Sequence, residues 1–239
     1  MNVPGPLLFG SFAFIHACIA LIALSLVGSF PVAAVCLCVV EGITAYDNLI
    51  IVLGRRIGIN DRATGLNRLR FFLHAVFIGA LVPVYTGIGT ALEVSPFHGD
   101  AAMPVSLLAA AAIASFGYLV QYRGLRLIMP INYFGCLRYA QSVDDRRRYP
   151  GYHYSEAELA NTALPPFASI ITVLLGLGVS LRVGWVAGFW VPFTVTALMF
   201  VATAFPARTW GPLVTSMLEI IYSGGLAWSL WTIAASLQF

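Results

Sequence analysis

Three acidic residues lie inside long apolar stretches of this sequence, and they are its clearest candidates for chemistry. Glu41 and Asp47 interrupt the stretch from 31 to 54, and Glu219 interrupts the stretch from 210 to 237. Placing a carboxyl group in the hydrocarbon core of a bilayer costs roughly 2.5 to 3.5 kcal/mol on insertion scales. Because acids at such depth usually face a site or a pathway, we predict catalytic roles for all three.

The stretch from 31 to 54 carries a polar stripe around two of these acids. At about 100° per residue, Thr44 and Asn48 fall on the helical face that also holds Glu41 and Asp47. The two acids lie about 9 Å apart along a helix axis, which is too far for their carboxyl groups to share a proton. We expect them to act at two heights of one cavity.

Other apolar stretches provide polar partners at similar depth. Asp47 and Glu219 both fall near the bilayer midplane, and we expect them to form a pair across helices. We predict that the substrate-binding residues are Thr44, Asn48, His74, Tyr118, Gln121 and Tyr222. Together with neighbouring aromatic residues they indicate a polar chamber with aromatic walls. His16 reaches a comparable depth, although a lone histidine in an apolar helix is more often a packing residue.

Proton transfer is the chemistry that these residues suit. The sequence has no metal-binding histidine spacing, no glycine-rich phosphate loop and no lysine to hold retinal, so we expect neither a metal nor a cofactor. A carboxyl group removed from water favours its neutral form and can act as a general acid, while a hydrogen-bonded one can remain ionised as a base. Such a pair suits protonation of an epoxide or alkene in a lipophilic small-molecule substrate that enters from the bilayer.

The elements that must position these residues are membrane helices. Hydrophobic residues make up 59% of the chain and charged residues 10%, a composition that excludes an ordinary soluble domain. Each apolar stretch is about as long as the roughly 20 residues that a bilayer-spanning helix needs. We predict an all-α, polytopic membrane helix bundle of about seven transmembrane helices, forming one integral-membrane domain over residues 1–239. The stretches are 7–30, 31–54, 69–92, 103–123, 163–181, 184–206 and 210–237.

The arginines predict the orientation of this bundle. The sequence has no lysine, and every arginine except Arg182 lies at connections on one side of the predicted membrane. The positive-inside rule then places the N-terminus in the cytosol. A net charge of +3 on that face suits anionic membrane lipids, and nothing indicates nucleic acid as a partner. We expect a multi-pass protein of the endoplasmic reticulum or of a bacterial inner membrane, in an oligomeric state that the sequence leaves open.

The longest connection, residues 124–162, forms a cytosolic loop in this topology. Apolar residues between 125 and 137 indicate a short interfacial helix that breaks at Pro130. A polar segment from Asp144 to Glu158 follows it. The loop could cap an opening from the cytosol, or it could be an ordinary solvated connection, which is the more common role for such segments.

In layout the chain resembles the small seven-helix integral-membrane terpene cyclases of fungal meroterpenoid pathways. One acid in the second helix, Glu41 or Asp47, and another in the last, Glu219, correspond to the acids of that family. Val40 precedes the first acid, where that family would have tryptophan. The resemblance implies that an epoxide is opened by protonation and the product cyclised. An isomerase or an epoxide hydrolase acting on a terpenoid or polyketide-like substrate would use the same residues.

Two other classes of function remain open at this point. A proton-coupled membrane transporter also needs acids inside the bilayer, although the chain is small and has no inverted repeat. A non-catalytic membrane scaffold or assembly factor could pair the same acids with arginines of a partner.

Overall fold

The computed structural model describes residues 5–204 and 207–237, and this part of the chain is mostly helical. Five helical segments are long and apolar enough to cross a membrane. This confirms the prediction of a helical bundle, while the count of seven and the orientation stay predictions. The five segments are Gly5–Ser25, Pro31–Ile57, Asp61–Ala91, Ala102–Tyr122 and Phe167–Ala187.

Two of these segments are built from more than one helix, and further helices follow them. The helices are α1 (Gly5–Ser25), α2 (Pro31–Ile57), α3 (Asp61–Phe77), α4 (Leu81–Ala91), α5 (Ala102–Phe116), α6 (Glu156–Ala160), α7 (Phe167–Ala187), α8 (Val191–Ala204) and α9 (Ala207–Ser236). A 3-10 turn, Ile78–Ala80, joins α3 to α4, and a π-helical turn, Gly117–Tyr122, extends α5.

Local sequence signals explain where several helices begin and end. Pro31 starts α2, because its fixed φ and missing N–H suit the first helical turn. Asn60 caps α3 by accepting a hydrogen bond from the Ala63 amide, so this helix begins before the predicted start at 69. Gly188 ends α7 with φ of 69°. The predicted boundary between the fifth and sixth stretches, at 181–184, is therefore wrong by nearly two turns, since α7 ends at Ala187 and α8 begins at Val191.

A β-hairpin replaces the interfacial helix that we predicted between 125 and 137. Strands β1 (Met129–Tyr133) and β2 (Cys136–Ala140) pair antiparallel around a turn in which Phe134 and Gly135 have positive φ. The helix prediction is wrong because the apolar side chains are buried on both faces of the hairpin. Such an apolar run has no period that separates a short strand from a helix.

The hairpin packs tightly against the ends of α1 and α2. A Cβ atom at Gly5 would collide with the carbonyl oxygen of Phe134, and one at Gly54 would collide with that of Leu137. Only glycine lets the backbones approach this closely. The start of α1, the end of α2 and the hairpin therefore lie at the same end of the bundle.

The polar segment after the hairpin folds back on it. The Tyr154 hydroxyl donates to the carbonyl of Pro130 at 2.6 Å, and Ser155 begins α6 with a capping box. Burial acts to raise the pKa of Glu158, but hydrogen bonds from Ser155 and Tyr152 outweigh it and leave that pKa below its ordinary value. Side-chain hydrogen bonds thus tie the loop to the hairpin, while residues 144–160 stay partly or fully exposed, as in a solvated connection.

Candidate functional site

Two adjoining cavities lie between α2, α3, α7 and α9, and they share His74, Pro166 and Glu219. The first, the apolar chamber, has a volume of about 290 Å³. The second, the charged chamber, has about 250 Å³. Glu219 therefore stands at the junction of an apolar and a charged space.

The apolar chamber has a mainly aliphatic wall with hydroxyl groups set into it. Glu219 supplies the only carboxyl group among its described lining residues. Its volume lies near the lower end of the roughly 300 to 1,000 Å³ usual for small-molecule sites. The lining comprises Val40, Thr44, His74, Ile78, Leu81, Pro166, Ser169, Thr172, Val173, Met199, Ala202, Thr215, Glu219, Tyr222 and Ser223.

The charged chamber is built around an ion pair between helices α2 and α3. Arg70 Nε lies 3.0 Å from Asp47 Oδ1, and the Arg70 side chain is only 3% exposed. Arg70 Nη2 also donates to the carbonyl of Tyr139 at 2.7 Å, which ties α3 to the hairpin. The lining comprises Asp47, Arg70, Phe71, His74, Ala75, Gln121, Tyr122, Arg138, Gln141, Leu164, Pro166 and Glu219. Asp47 and Glu219 thus both line this chamber, although the ion-pair partner of Asp47 is Arg70 and the predicted pairing of the two acids stays a prediction.

The third predicted acid, Glu41, lies outside both described linings. Its Oε2 is 2.7 Å from His16 Nδ1, and both side chains are 0% exposed. The structure therefore gives Glu41 a partner on α1 instead of a place in the chamber wall. The sequence predicts that His16 is a packing residue; its depth, similar to that of the acids, is the signal in the sequence that points to this pair.

The rest of the polar stripe on α2 is largely bonded within its own helix. Asn48 Nδ2 donates to the Thr44 carbonyl at 2.9 Å, and the Thr44 hydroxyl donates to the Val40 carbonyl at 3.0 Å. Thr44 lines the apolar chamber, whereas Asn48 is buried and belongs to neither described lining.

Tyr222 lines the apolar chamber, and its hydroxyl group belongs to a buried hydrogen-bonded cluster. Its hydroxyl lies 2.6 Å from that of Tyr85, which in turn lies 2.9 Å from Thr196 Oγ1. Tyr222 is the one Phe, Tyr or Trp residue in the described lining of this chamber, whereas Phe71 and Tyr122 line the charged chamber. Trp228 and Trp231 are about half exposed, since they project from the outer surface of α9.

The other predicted binding residues divide between the chamber and the surface. His74 lines both chambers. Gln121 lines the charged chamber, where its Oε1 accepts a hydrogen bond from the Ala168 amide at 2.9 Å. Tyr118 is 42% exposed and stacks on Tyr122 with ring centroids 5.9 Å apart. The structure does not bring Tyr118 to either described lining.

The sequence does not predict the basic residues of the charged chamber, because its arginines were used only to predict the orientation of the bundle in the membrane. Arg138 reaches the chamber from β2, and its guanidinium lies 5.2 Å from the centroid of the Tyr133 ring. Arg147 lies 5.7 Å from the same ring. Burial raises the pKa of Tyr133, so its phenol stays neutral between these two cations.

This arrangement can transfer protons to or from an apolar molecule held beside a charged pocket. Among the described residues, no group of three or more His, Cys, Asp or Glu side chains is arranged to hold a metal ion. Comparison of the chain with models of protein families, with curated proteins and with solved structures found no match.

Proposed function

We propose that the chain is an integral, multi-pass membrane protein in which α8 and α9 add two crossings to the five long apolar segments. The start of α1 packs against the hairpin, which carries Arg138 and is followed by further arginines. Because such arginines stay on the cytosolic side, this contact supports a cytosolic N-terminus.

We further propose that the protein is a membrane enzyme of the cyclase, isomerase or epoxide hydrolase type, acting on a lipophilic terpenoid or polyketide-like substrate. The observation that carries this proposal is the position of Glu219. Its carboxyl group is the only one in the described lining of the apolar chamber, and it also borders the charged chamber. An acid at this junction can meet an apolar substrate and exchange protons with polar groups behind it.

In the proposed reaction, Glu219 begins as a neutral carboxylic acid. It gives its proton to an epoxide oxygen, breaking a C–O bond, or to an alkene carbon, forming a C–H bond. An internal double bond attacks the resulting carbocation and closes a ring, and the cyclised cation loses a proton to His74. Alternatively, water captures the carbocation and gives its proton to His74. Return of that proton from His74 to Glu219, through the chambers that both residues line, restores the two groups.

Asp47 and Glu41 take different roles in this proposal. The ion pair with Arg70 fixes the Asp47 carboxyl group in the wall of the charged chamber and orients the Arg70 guanidinium. Glu41 has a positioning role, because its contact with His16 joins α2 to α1. Neither residue belongs to a described chamber lining.

The test compares Glu219→Gln with Glu156→Gln, a control on the short helix α6 outside the chambers. Each variant is expressed in membranes supplied with epoxidised isoprenoids, and lipophilic extracts are analysed by mass spectrometry. We expect product formation with the wild type and the control, and a loss of at least about 100-fold with Glu219→Gln, the lower end of general-acid contributions. Full product formation by a folded Glu219→Gln variant would show that Glu219 is not the acid.

Isotopes identify the reaction type in the same experiment. Alkene protonation in D₂O places a non-exchangeable deuterium on carbon, and epoxide hydrolysis in H₂¹⁸O places ¹⁸O in the product. A transporter would instead move protons across liposome membranes without altering any added compound, and that result would replace the enzyme proposal.

A further inference from the structure

We infer that the charged chamber binds a carboxylate head group and that the apolar chamber holds the hydrocarbon part of the same molecule. This inference rests on the proposed function, because it names the class of substrate for that site. The two chambers share His74 and Glu219, so a molecule that occupied both would place its middle beside the proposed acid.

Arg70 is the first reason for an anionic ligand. Two of its guanidinium nitrogens are engaged, by Asp47 and by the carbonyl of Tyr139. The third, Nη1, is buried and has no hydrogen-bond acceptor among the described residues. Buried N–H groups are normally paired, so this guanidinium has donor capacity left for a ligand in the chamber it lines.

Arg138 is the second reason. It enters the charged chamber from the hairpin, and its Nε is also buried without an acceptor among the described residues. The Arg138 guanidinium stacks on the Tyr133 ring, and this contact holds it in position. A carboxylate offers two oxygens and about four acceptor positions, which suits donors presented by two guanidinium groups.

The charge balance of the chamber favours a ligand with one negative charge. Arg70 and Arg138 contribute two positive charges to the described lining, and Asp47 contributes one negative charge. Glu219 is neutral when it serves as the proton donor. With His74 neutral, one positive charge remains, which a carboxylate neutralises and a doubly charged phosphate monoester would exceed.

The placement of the head group also predicts where the reaction occurs on the substrate. A carboxylate held by Arg70 and Arg138 keeps the polar end on the hairpin side of Glu219. The apolar wall on the other side, formed by residues such as Val173 and Met199, holds the chain. The reacting epoxide or alkene therefore lies part-way along the molecule, and not at its far end.

The experiment is photoaffinity labelling of the full-length protein in nanodiscs. The probes are a C12 carboxylate and a C12 alcohol, each with a diazirine in the chain, and labelled residues are mapped by mass spectrometry. We expect the carboxylate to label the apolar chamber at a concentration about 10-fold to 100-fold lower than the alcohol, as for the loss of a charge-assisted hydrogen bond. Equal labelling by the two probes would overturn the inference.

Variants of two stacked arginines provide matched controls. Arg138→Gln should weaken labelling by the carboxylate about 10-fold or more, and Arg138→Lys should restore part of it. Arg147→Gln, which removes a cation from the same tyrosine ring but outside the described chamber linings, should leave labelling unchanged. Retained labelling in a folded Arg138→Gln variant, or equal losses in both glutamine variants, would overturn the inference.

Two further measurements distinguish an amphipathic carboxylate from a free one, and distinguish failure of this inference from failure of the proposed function. Sodium acetate that competes as strongly as dodecanoate would show a site for free carboxylates, and would overturn the assignment of an amphipathic ligand. Loss of product formation in Glu219→Gln tests the proposed function alone, because selectivity for the carboxylate is measured on the wild type. Selective binding with no chemical product in the wild type would reject the enzyme and leave the ligand class standing.

Discussion

Replacing His16 with Ala should destabilise the bundle strongly, because it leaves a fully buried carboxyl group alone. Glu41 Oε2 bonds to His16 Nδ1 at 2.7 Å, and Oε1 has no partner among the described residues. Removing one partner of a buried ion pair costs about 3 to 5 kcal/mol. Deletion of the buried imidazole also leaves a cavity, which adds to the loss.

The free energy of unfolding can be measured by titrating the protein in mixed micelles with sodium dodecyl sulfate and following circular dichroism. The double variant His16→Leu/Glu41→Leu should lie within about 1 kcal/mol of the wild type, since apolar residues often replace a buried ion pair without loss. Phe14→Ala is the control for truncation of α1, because this side chain is 70% exposed. We expect Phe14→Ala to change the free energy of unfolding by less than about 0.5 kcal/mol.

A loss of less than about 1 kcal/mol in His16→Ala would refute this reasoning, as would a double variant no more stable than the single one. The double variant also tests the role of Glu41. If it is stable and forms product, the pair positions α1 against α2. If it is stable and inactive, the His16–Glu41 pair takes part in the reaction and does more than position the helices.

Three further predictions concern the charged chamber, the hairpin and the loop. Asp47→Asn should cost about 3 kcal/mol in the same titration, because Arg70 keeps its buried charge and loses its counter-charge; a loss below about 1 kcal/mol would contradict the ion pair. Gly54→Ala should cost about 1 to 3 kcal/mol through collision with the hairpin backbone, seen as a lower Tm. Since the pKa of Glu158 is lowered in the fold, it stabilises the loop above its ordinary pKa, and this is lost as pH falls through the lowered value. Proteolysis of the loop should then be faster at pH 3 than at pH 7, and Ser155→Ala should reduce that difference.

The amino-acid sequence by itself determined that the chain has helices long and apolar enough to cross a membrane, and it predicted a site at the three acids inside its apolar stretches. Long apolar runs identify such helices without any tertiary information, because each run need only match the thickness of a bilayer. Helical rise alone predicts similar depths for Asp47 and Glu219, and both acids line the charged chamber. The sequence contains the glycine that ends α7, Gly188, but Arg182 and Gly184 predict the boundary between the fifth and sixth apolar stretches instead.

The tertiary structure alone decided which groups are partners. Glu41 meets His16 and Asp47 meets Arg70, and contacts across helices leave no periodic signal in one sequence. The sequence does not predict the hairpin Met129–Ala140 for a related reason. Its short apolar strands are buried by packing on α1 and α2. A short buried run has no periodicity that distinguishes a strand from a helix. Arg138 became a chamber residue only because that hairpin folds over the end of the bundle.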